Sequence, residues 1–434
     1  MGRAARALTT MTVLAAAFAA TATTSAASAA SAATAISPPT ITAPLGGLGP
    51  YAVGSSVTFT FTETGVGTPV AYKYSLNGGK LVKITAPSGT ASVQIAVPER
   101  QTQSLTAYAV AADGTVSGGT LDNFIATLSP AAADKDLTGD GVPDLLTVGD
   151  TTGLAPGLWL ATGRTAPGAA AKGRVKTPAT DIGANGEGTS SPGSPSDFDG
   201  AQAITGQFIG RGFQDVLLYF PSGSDAGGGE VMAGSGDGSV LQTNSGDTFS
   251  VPSGTFADLN SDNPLQIVNA YGSIYGTGLP DLLAINGDPV SGYYLDYYDA
   301  TAPGSYYNTF SITTPTPDGT NDWNQWTLAT LDYSGGIGMF LWNESTGALY
   351  LWTNVSFTDN GTGTGSIAYT QYELSAHWNK GQPLPTLEAA DFGASAVPGL
   401  WAVTPAGVAT AYTFSDLSAT SVAKVKAGKS QQLS

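Results

Sequence analysis

Short runs of alternating apolar and polar residues fill the chain from residue 36 to about residue 129. Examples are SSVTFTFTE, VAYKYSLNGG, ASVQIAVP and SLTAYAVAADGTVS. Alternation with a period of two, interrupted by Gly, Pro or Ser every ten residues or so, is typical of half-buried strands. The Asn77-Gly78-Gly79 turn adds a hairpin signal. The pattern therefore predicts a β-sandwich over residues 36–129.

Beyond residue 130 the apolar strands repeat along the chain. Each repeat is followed by a second strand after a Gly-rich turn, and a preceding strand is also visible in several, so a unit holds about four strands. Such units, recurring at about 60 to 70 residues, predict a β-propeller over residues 130–434. The five aligned runs are VPDLLTVG, FQDVLLYF, LPDLLAIN, IGMFLWN and VPGLWAVT.

The number of blades follows from these repeats. Five units predict five blades, with six or seven as alternatives, because the stretches 173–200 and 246–266 have room for degenerate strands. The first of these stretches is rich in Gly, Ser and Pro, which favours a mobile loop. Residues 129–136, SPAAADKD, differ in composition from both sides and are interpreted as a short linker.

The N-terminal strands also carry a resemblance. YKYSLNGG and LTAYAVAADGTVS are similar to segments of the bacterial Ig-like or fibronectin-like modules of secreted multidomain proteins. The resemblance covers about 90 residues and rests on the strand pattern. It implies an Ig-like β-sandwich that serves as a spacer or a binding platform.

The first 35 residues have the pattern of an export signal. Arg3 and Arg6 precede the apolar run LTTMTVLAAAFAATA, and small-residue cleavage sites follow at 27–29 and 33–35. After this segment no apolar run approaches the roughly 20 residues that cross a bilayer. We therefore expect a signal peptide over residues 1–35 and a secreted, extracellular product that does not insert into a membrane.

Composition and charge narrow the class further. With 57 Gly, 26 Pro and only 11% charged residues, long surface helices are disfavoured and an all-β protein is expected. The formal net charge of -17 would repel phosphate backbones, which argues against nucleic acids and anionic membranes as partners. The chain has no Cys, which excludes disulfides and thiolate metal sites.

An acidic loop, DLTGDGVPD, precedes the first of the five repeated strands. Oxygen-bearing side chains stand two positions apart around a glycine at position six, a spacing that suits a hard cation such as calcium. The twelfth position lacks Glu and a strand follows, so the loop is not an EF-hand. A plain acidic hairpin turn is the alternative. The predicted ligands are the side chains of Asp136, Thr138, Asp140 and Asp144 and the backbone carbonyl of Val142.

This loop resembles the calcium loop of FG-GAP repeats, also called VCBS repeats, which build integrin α-like propellers and occur in many secreted bacterial proteins. Thr138 departs from the pattern, because Asp or Asn is usual there. The resemblance implies a calcium-binding propeller with a recognition role. The matching residues are Asp136, Gly139, Asp140, Gly141, Asp144, Leu145 and Leu146.

The other repeats lack these ligands. The second and third units keep only the last acid, Asp215 and Asp281, so neither is expected to bind calcium. A separate stretch, DLNSDNPLQ, is the candidate for a second metal site, with a polar turn as the alternative, since it has no glycine at position six. Its candidate ligands are Asp258, Asn260 and Asp262, with Gln266 at position nine.

Enzymatic chemistry has little support in the sequence. His377 is the only histidine and no GxSxG elbow accompanies it, which disfavours a Ser-His-Asp triad. Its neighbour Trp378 suggests that His377 is partly buried and structural. A propeller glycosidase with two carboxyl groups about 5 to 10 Å apart is the enzymatic alternative.

Aromatic residues near loops supply candidate ligand contacts. Trp323, Trp326, Tyr293 and Tyr294 could stack on sugar rings, although packing in the sheet is the alternative use for them. The tryptophans in the repeated strands are instead expected in the core. These are Trp159, Trp342, Trp352 and Trp401.

Together the sequence predicts a secreted, monomeric, non-enzymatic recognition or adhesion protein with a calcium-stabilised propeller. The expected partner is a glycan or a cell-surface protein. A polysaccharide-active enzyme and a passive structural spacer are the alternatives.

Overall fold

The computed structural model describes residues 36–434, except 47, 165–172, 185, 187–192, 242–246, 259 and 394–396. The predicted signal peptide, residues 1–35, lies outside the described residues. Within them, helical structure is confined to the 3₁₀ turns Pro195–Phe198 and Trp323–Gln325, and strands make up the rest of the regular structure. The all-β prediction is confirmed. The same residues contain no helix that is both long and apolar enough to cross a membrane.

The N-terminal region consists of two sheets that share one hydrophobic core. Its strands, β1 to β8, are Thr40–Thr42, Tyr51–Ala52, Ser56–Thr62, Ala71–Leu76, Val82–Thr85, Thr90–Ala96, Thr102–Val110 and Thr120–Thr127. One sheet has the order β1-β3-β6 and the other β2-β8-β7-β4-β5. The alternating pattern of β3 directs Val57, Phe59 and Phe61 inward, where Phe59 packs against Phe124 of the other sheet.

The remaining strands form five consecutive antiparallel groups, here called units 1 to 5. Unit 1 has β9 to β11, units 2 to 4 have four strands each (β12 to β15, β16 to β19 and β20 to β23), and unit 5 has β24 to β28. In units 2 to 5 the repeated apolar run is the second strand, whereas in unit 1 it is the first, β9. Strands β9 to β28 are Leu145–Val148, Leu158–Ala161, Thr180–Asp181, Gln202–Gly206, Asp215–Phe220, Gly228–Met232, Thr248–Val251, Gln266–Asn269, Leu282–Asp288, Gly292–Ala302, Ser305–Ile312, Trp326–Tyr333, Gly336–Asn343, Leu349–Asp359, Thr364–Ser375, Thr386–Ala390, Gly399–Val403, Val408–Ser415, Lys424–Ala427 and Gln431–Gln432.

Hydrophobic clusters lie between successive units, in a cycle. In β13, for example, Leu218 packs towards unit 1 and Leu217 towards unit 3. Further clusters join unit 3 to unit 4, unit 4 to unit 5, and unit 5 to unit 1. Because the repeated strands are buried on both faces, they are apolar runs rather than alternating ones. The first strands of units 2 to 5 and β9 also contact one another in the same cyclic order.

The C-terminal strands close this cycle onto unit 1. The Gln431 side chain accepts from the Val175 amide at 3.1 Å and donates to its carbonyl at 2.7 Å. The Ala179 amide donates to the Leu433 carbonyl, and the Trp401 indole donates to the Gly173 carbonyl, both at 2.7 Å. The end of the chain is therefore bonded to the first unit.

The two long stretches contribute outer strands. Thr180–Asp181 pairs with β10 of unit 1, and Thr248–Val251 pairs with β14 of unit 2. In the described part of the chain they therefore belong to units 1 and 2. Units 3 and 4 have an additional connection, a short parallel pairing of β19 with β23 that joins them into one eight-stranded sheet.

The N-terminal region contacts unit 2 through the turn before β7. Gln101 is fully buried, and its side-chain amide donates to Asp215 at 2.9 Å. Next to it, Thr102 donates to Asp247, which also pairs with Arg211 at 3.2 Å. A buried polar cluster therefore connects the two regions.

Candidate functional site

The acidic loop Asp136–Asp144 is folded around its own carboxylates. Asp136 accepts the amides of Asp140 at 3.1 Å and Gly141 at 2.8 Å, and Asp140 accepts the amide of Val142 at 3.0 Å. Positive φ angles at Gly139 and Gly141 allow the chain to turn this tightly. The loop therefore has a defined conformation that its own sequence encodes.

Asp144 is fully buried at the end of this loop. Its Oδ2 accepts the Thr138 amide at 2.9 Å, and its Oδ1 accepts the Gly163 amide at 2.7 Å. The Thr138 hydroxyl lies 3.4 Å from both Asp136 and Asp144. Burial, together with the nearby charge of Asp136, raises the pKa of Asp144 to about 7. The pKa of Asp136 is raised as well, by burial and by Asp140.

Glu99, from the N-terminal region, extends the acidic cluster. Its carboxylate lies against Gly139. Burial and the charges of Asp136 and Asp237 raise its pKa. Nothing in the strand pattern places the turn before β7 beside the loop, so the sequence does not predict Glu99 as part of the site.

The donor set of this loop suits calcium in its chemistry. Hydrogen bonds to the carboxylates come from backbone amides and the Thr138 hydroxyl, and the neighbouring charges that shift the pKa values of Asp136 and Asp144 are other carboxylates. Such excess negative charge on hard oxygen donors favours a cation. Across the described residues, however, no three Asp, Glu, His or Cys side chains are grouped closely enough to hold a metal ion by themselves. A bound calcium would therefore need Thr138 and backbone oxygens in addition to carboxylates.

Asp215 and Asp281 occupy the position of Asp144 in units 2 and 3, and all three bond in the same way. Asp215 accepts the amides of Ile209 at 2.9 Å and Gly234 at 3.1 Å. Asp281 accepts the amides of Ile274 at 3.0 Å and Ala300 at 2.9 Å. The buried Asp therefore connects the preceding turn to the strand that follows the repeated strand, or to the end of that strand.

The second acidic stretch also uses its carboxylate internally. Asp258 Oδ1 accepts the amides of Asn260 at 2.8 Å and Asp262 at 2.9 Å. Its Oδ2 accepts the hydroxyl of Tyr294 at 2.8 Å. Asp258, a predicted metal ligand, is therefore hydrogen-bonded to Tyr294, a predicted contact for a sugar. The stretch itself forms a polar turn.

The other candidate aromatic contacts are packed inside. Trp323 and Trp326 are 1% and 4% exposed, and both belong to the cluster between units 3 and 4. Trp323 meets Trp352 edge to face, the Trp326 indole donates to Asp322 at 3.2 Å, and Tyr293 packs against the same cluster. The two tryptophans therefore offer little flat surface to solvent, whereas Tyr293 is only partly buried.

His377, expected to be partly buried, is exposed, whereas its neighbour Trp378 is buried. The Trp342 indole donates to the Trp378 carbonyl at 3.0 Å, so Trp378 supplies the structural role.

The segment interpreted as a linker instead enters the centre of the five units, which corrects that interpretation. Lys135, at φ 61°, is buried, and its Nζ lies 3.2 Å from Thr205 of unit 2 and 3.6 Å from Glu388 of unit 5. Asp134 accepts the hydroxyl of Tyr271 in unit 3 at 2.9 Å and the amide of Asp332 in unit 4 at 3.2 Å. Asp134 and Lys135, which are consecutive in the chain, thus together contact units 2, 3, 4 and 5.

Burial raises the pKa values of the acids in this central group. It raises the pKa of Glu388 to about 7 against the opposing effect of Lys135, and it raises the pKa of Asp134. The sequence signal that could have found them is the basic residue between two acids in DKD, next to the acidic loop.

A cavity of about 410 Å³ lies beside Lys135 and Glu388. Its walls come from β9 and from the first strands of the other four units, so we call it the central cavity. A second cavity of about 420 Å³ is lined by Asp134, Tyr271 and Asp332.

Comparison with the models of known protein families finds no match to this chain. A comparison with curated proteins likewise finds no significant match.

Proposed function

We propose that the chain is a secreted recognition or adhesion protein, built from an Ig-like β-sandwich and a five-bladed, calcium-stabilised β-propeller of the FG-GAP/VCBS type. In this proposal residues 1–35 are a removable signal peptide. The mature protein acts outside the cell as a monomer, and its partner is a glycan or a cell-surface protein.

The observation that carries the proposal is the cyclic packing of five antiparallel units. Five hydrophobic clusters join each unit to the next and the last to the first. Each blade of a propeller buries its faces only against its neighbours, so this pattern favours a propeller over a sandwich or an open sheet. Rigid rings of this kind present loops for binding, which supports a recognition role.

Calcium enters the proposal through the acidic loop. The charge of Asp140 opposes the ionisation of Asp136, and the charge of Asp136 opposes that of Asp144, so a bound cation would relieve repulsion in a loop that already turns tightly. Extracellular calcium modules bind with dissociation constants of about 0.1 to 1 mM. Thermal melting with calcium and with a chelator tests this part, since calcium should raise the melting temperature.

Asp140→Ala is the matched variant for that test. Its carboxylate bonds only within the loop, to the Val142 amide. The variant should melt as the chelated wild type does and should not respond to calcium. Asp225→Ala, an exposed Asp in unit 2 bonded to Ser224, is the control and should respond like the wild type. Equal melting with and without calcium in the wild type would remove calcium from the proposal.

A polysaccharide-active enzyme remains the second candidate because the central group contains two acids, Glu388 and Asp134, close enough for their charges to interact. A glycan array combined with a hydrolysis screen on polysaccharides separates the candidates. Binding without turnover supports recognition. Turnover that Glu388→Gln abolishes supports the enzyme. Neither binding nor turnover favours a protein partner.

A further inference from the structure

The central cavity has the size of a small-molecule site. Its volume of about 410 Å³ lies within the roughly 300 to 1,000 Å³ of known ligand pockets. All five units contribute to its walls, so a ligand here would contact every unit at once. Six threonines from four of the units line it: Thr147, Thr151, Thr205, Thr327, Thr330 and Thr386.

Some polar groups of the wall are already committed to the fold. Gln202 donates to the Leu265 carbonyl at 2.7 Å and accepts the Ile267 amide at 3.0 Å. Gln266 bonds both backbone groups of Leu328 in the same way, at 2.8 and 2.9 Å. The side-chain amides of these glutamines are occupied by hydrogen bonds between neighbouring units, so they are not available to a ligand.

Lys135 and Glu388 are different, because the bonds they make leave bonding capacity unused. Lys135 also donates to the Thr205 hydroxyl at 3.2 Å, but an ammonium group has three donors. The Nζ–Oε1 separation is 3.6 Å, longer than a good hydrogen bond, although the side chains are only 8% and 11% exposed. The remaining carboxylate oxygen accepts the Leu146 amide at 3.1 Å. A buried ion pair adds little stability over an apolar pair of similar volume, so stability alone does not account for its place in the cavity wall.

The chemistry of this pair selects a ligand class. An ammonium group only donates hydrogen bonds, and a carboxylate only accepts them. Two adjacent hydroxyls satisfy both at once, because one can accept from Lys135 while its neighbour donates to Glu388. Among the wall threonines, the hydroxyls of Thr147 and Thr386 bond to each other at 2.6 Å, and that of Thr205 accepts from Lys135 at 3.2 Å. Because a hydroxyl can both donate and accept, the wall still suits further hydroxyl groups of the same ligand.

Charge argues for a neutral ligand. Ionised Glu388 cancels the charge of Lys135, Asp134 lies near both, and the chain as a whole carries a formal charge of -17. A sugar acid or a phosphate would meet this negative field, whereas a neutral sugar would not.

We propose that the central cavity binds one neutral sugar unit, such as the end of a glycan chain, with a pair of adjacent hydroxyls held between Lys135 and Glu388. The inference rests on the proposed recognition function and assigns its glycan site to the centre of the five units.

The test is calorimetric titration of the full chain with glucose, galactose, mannose and arabinose, and with galacturonate as the charged counterpart. At least one neutral sugar should bind, and galacturonate should bind more weakly. Lys135→Met and Glu388→Gln should each weaken that binding about ten- to a hundred-fold, the effect of losing a charge-assisted hydrogen bond. Lys80→Met, on the exposed surface of the N-terminal region, is the control and should bind like the wild type.

A second pair of variants covers the case in which the buried substitutions disturb folding. Thr327→Val removes one hydroxyl of the cavity wall, and Thr358→Val makes the same change on an exposed strand position of unit 4. Thr327→Val alone should weaken sugar binding. Failure of every sugar to bind, or equal binding by Thr327→Val and Thr358→Val, would overturn the central site. A glycan that binds the wild type and the Lys135 and Glu388 variants equally would also overturn it, while leaving the recognition function in place.

Discussion

Units 1 to 3 and units 4 and 5 secure the same strand in two chemically different ways. In the first three units a buried Asp precedes or begins the repeated strand and accepts two backbone amides, as Asp144 does. In units 4 and 5 the aligned residue is Gly338 or Gly399. A Cβ at Gly399 would overlap the ring of Phe392, and one at Gly338 would meet Leu331 and Tyr333.

The difference shows that one repeated strand can be stabilised by hydrogen bonds or by apolar cover. A buried carboxylate accepts hydrogen bonds from two backbone amides that would be costly to bury without a partner. An aromatic ring instead excludes water from the same position. Among the Asp-bearing units, only unit 1 has the additional acids Asp136 and Asp140 in the preceding loop.

The largest expected effect comes from removing one of these aspartates. Asp215→Ala should lower the free energy of unfolding by about 4 kcal/mol, because it leaves buried donors of Ile209, Gly234 and Gln101 without their acceptor. Urea unfolding measures this. Asp225→Ala, at the exposed position, should change stability by less than about 0.5 kcal/mol. Similar losses for the two variants would show that the buried Asp does not secure its unit.

The same residue should make stability depend on pH. Burial raises the pKa of Asp215 from 3.8 to about 6, despite its hydrogen bonds from Gln101 and the backbone. The folded state then binds more protons than the unfolded state between these values, so its contribution to the unfolding free energy falls as pH rises through the window, by about 3 kcal/mol. Asp215→Asn should remove this part of the slope in urea unfolding from pH 4 to pH 7, and an unchanged slope would contradict the assignment.

A change of intermediate size is expected in the glycine-bearing units. Gly399→Ala should cost about 2 kcal/mol, since its Cβ overlaps Phe392 and crowded cores lose roughly 1 to 3 kcal/mol. Adding Phe392→Leu should recover part of the loss, because the smaller side chain makes room. Gly118→Ala, where the new Cβ meets only ordinary contacts, is the control. Equal melting temperatures for Gly399→Ala and Gly118→Ala would contradict the claim that Phe392 packs tightly over Gly399.

The smallest effect is expected at Glu99. Because burial and the charges of Asp136 and Asp237 oppose its ionisation, Glu99→Gln should stabilise the calcium-free protein by a few tenths of a kcal/mol at neutral pH. High salt should shrink the difference, since it screens the repulsion. Lower stability of Glu99→Gln in chelator would show that Glu99 has a favourable partner.

Much of the architecture could be predicted from the sequence because it follows from local rules. Alternation of apolar and polar residues gives the N-terminal strands, and the recurring doubly buried runs give the five units. The assignment of the two long stretches to units 1 and 2 needed the structure, since short outer strands such as Thr180–Asp181 are too brief to show a period.

The centre of the molecule could not be predicted in the same way. Lys135 and Glu388 are far apart in sequence, and only the cyclic closure of the units brings them together. Likewise, a tryptophan near a loop is compatible with a binding surface or with a core. The burial of Trp323 and Trp326 depends on neighbours from units 3 and 4 that no local pattern specifies.

Equilibrium dialysis against calcium tests the contrast between unit 1 and its copies most directly. The account predicts one calcium ion per chain, with a dissociation constant of about 0.1 to 1 mM. Asp140→Asn should lose the ion, whereas Asp281→Asn should keep it, because Asp281 lies in unit 3 and bonds to backbone amides, Tyr297 and Asp299 there. No retained calcium in the wild type, or loss of the ion in both variants, would contradict the account.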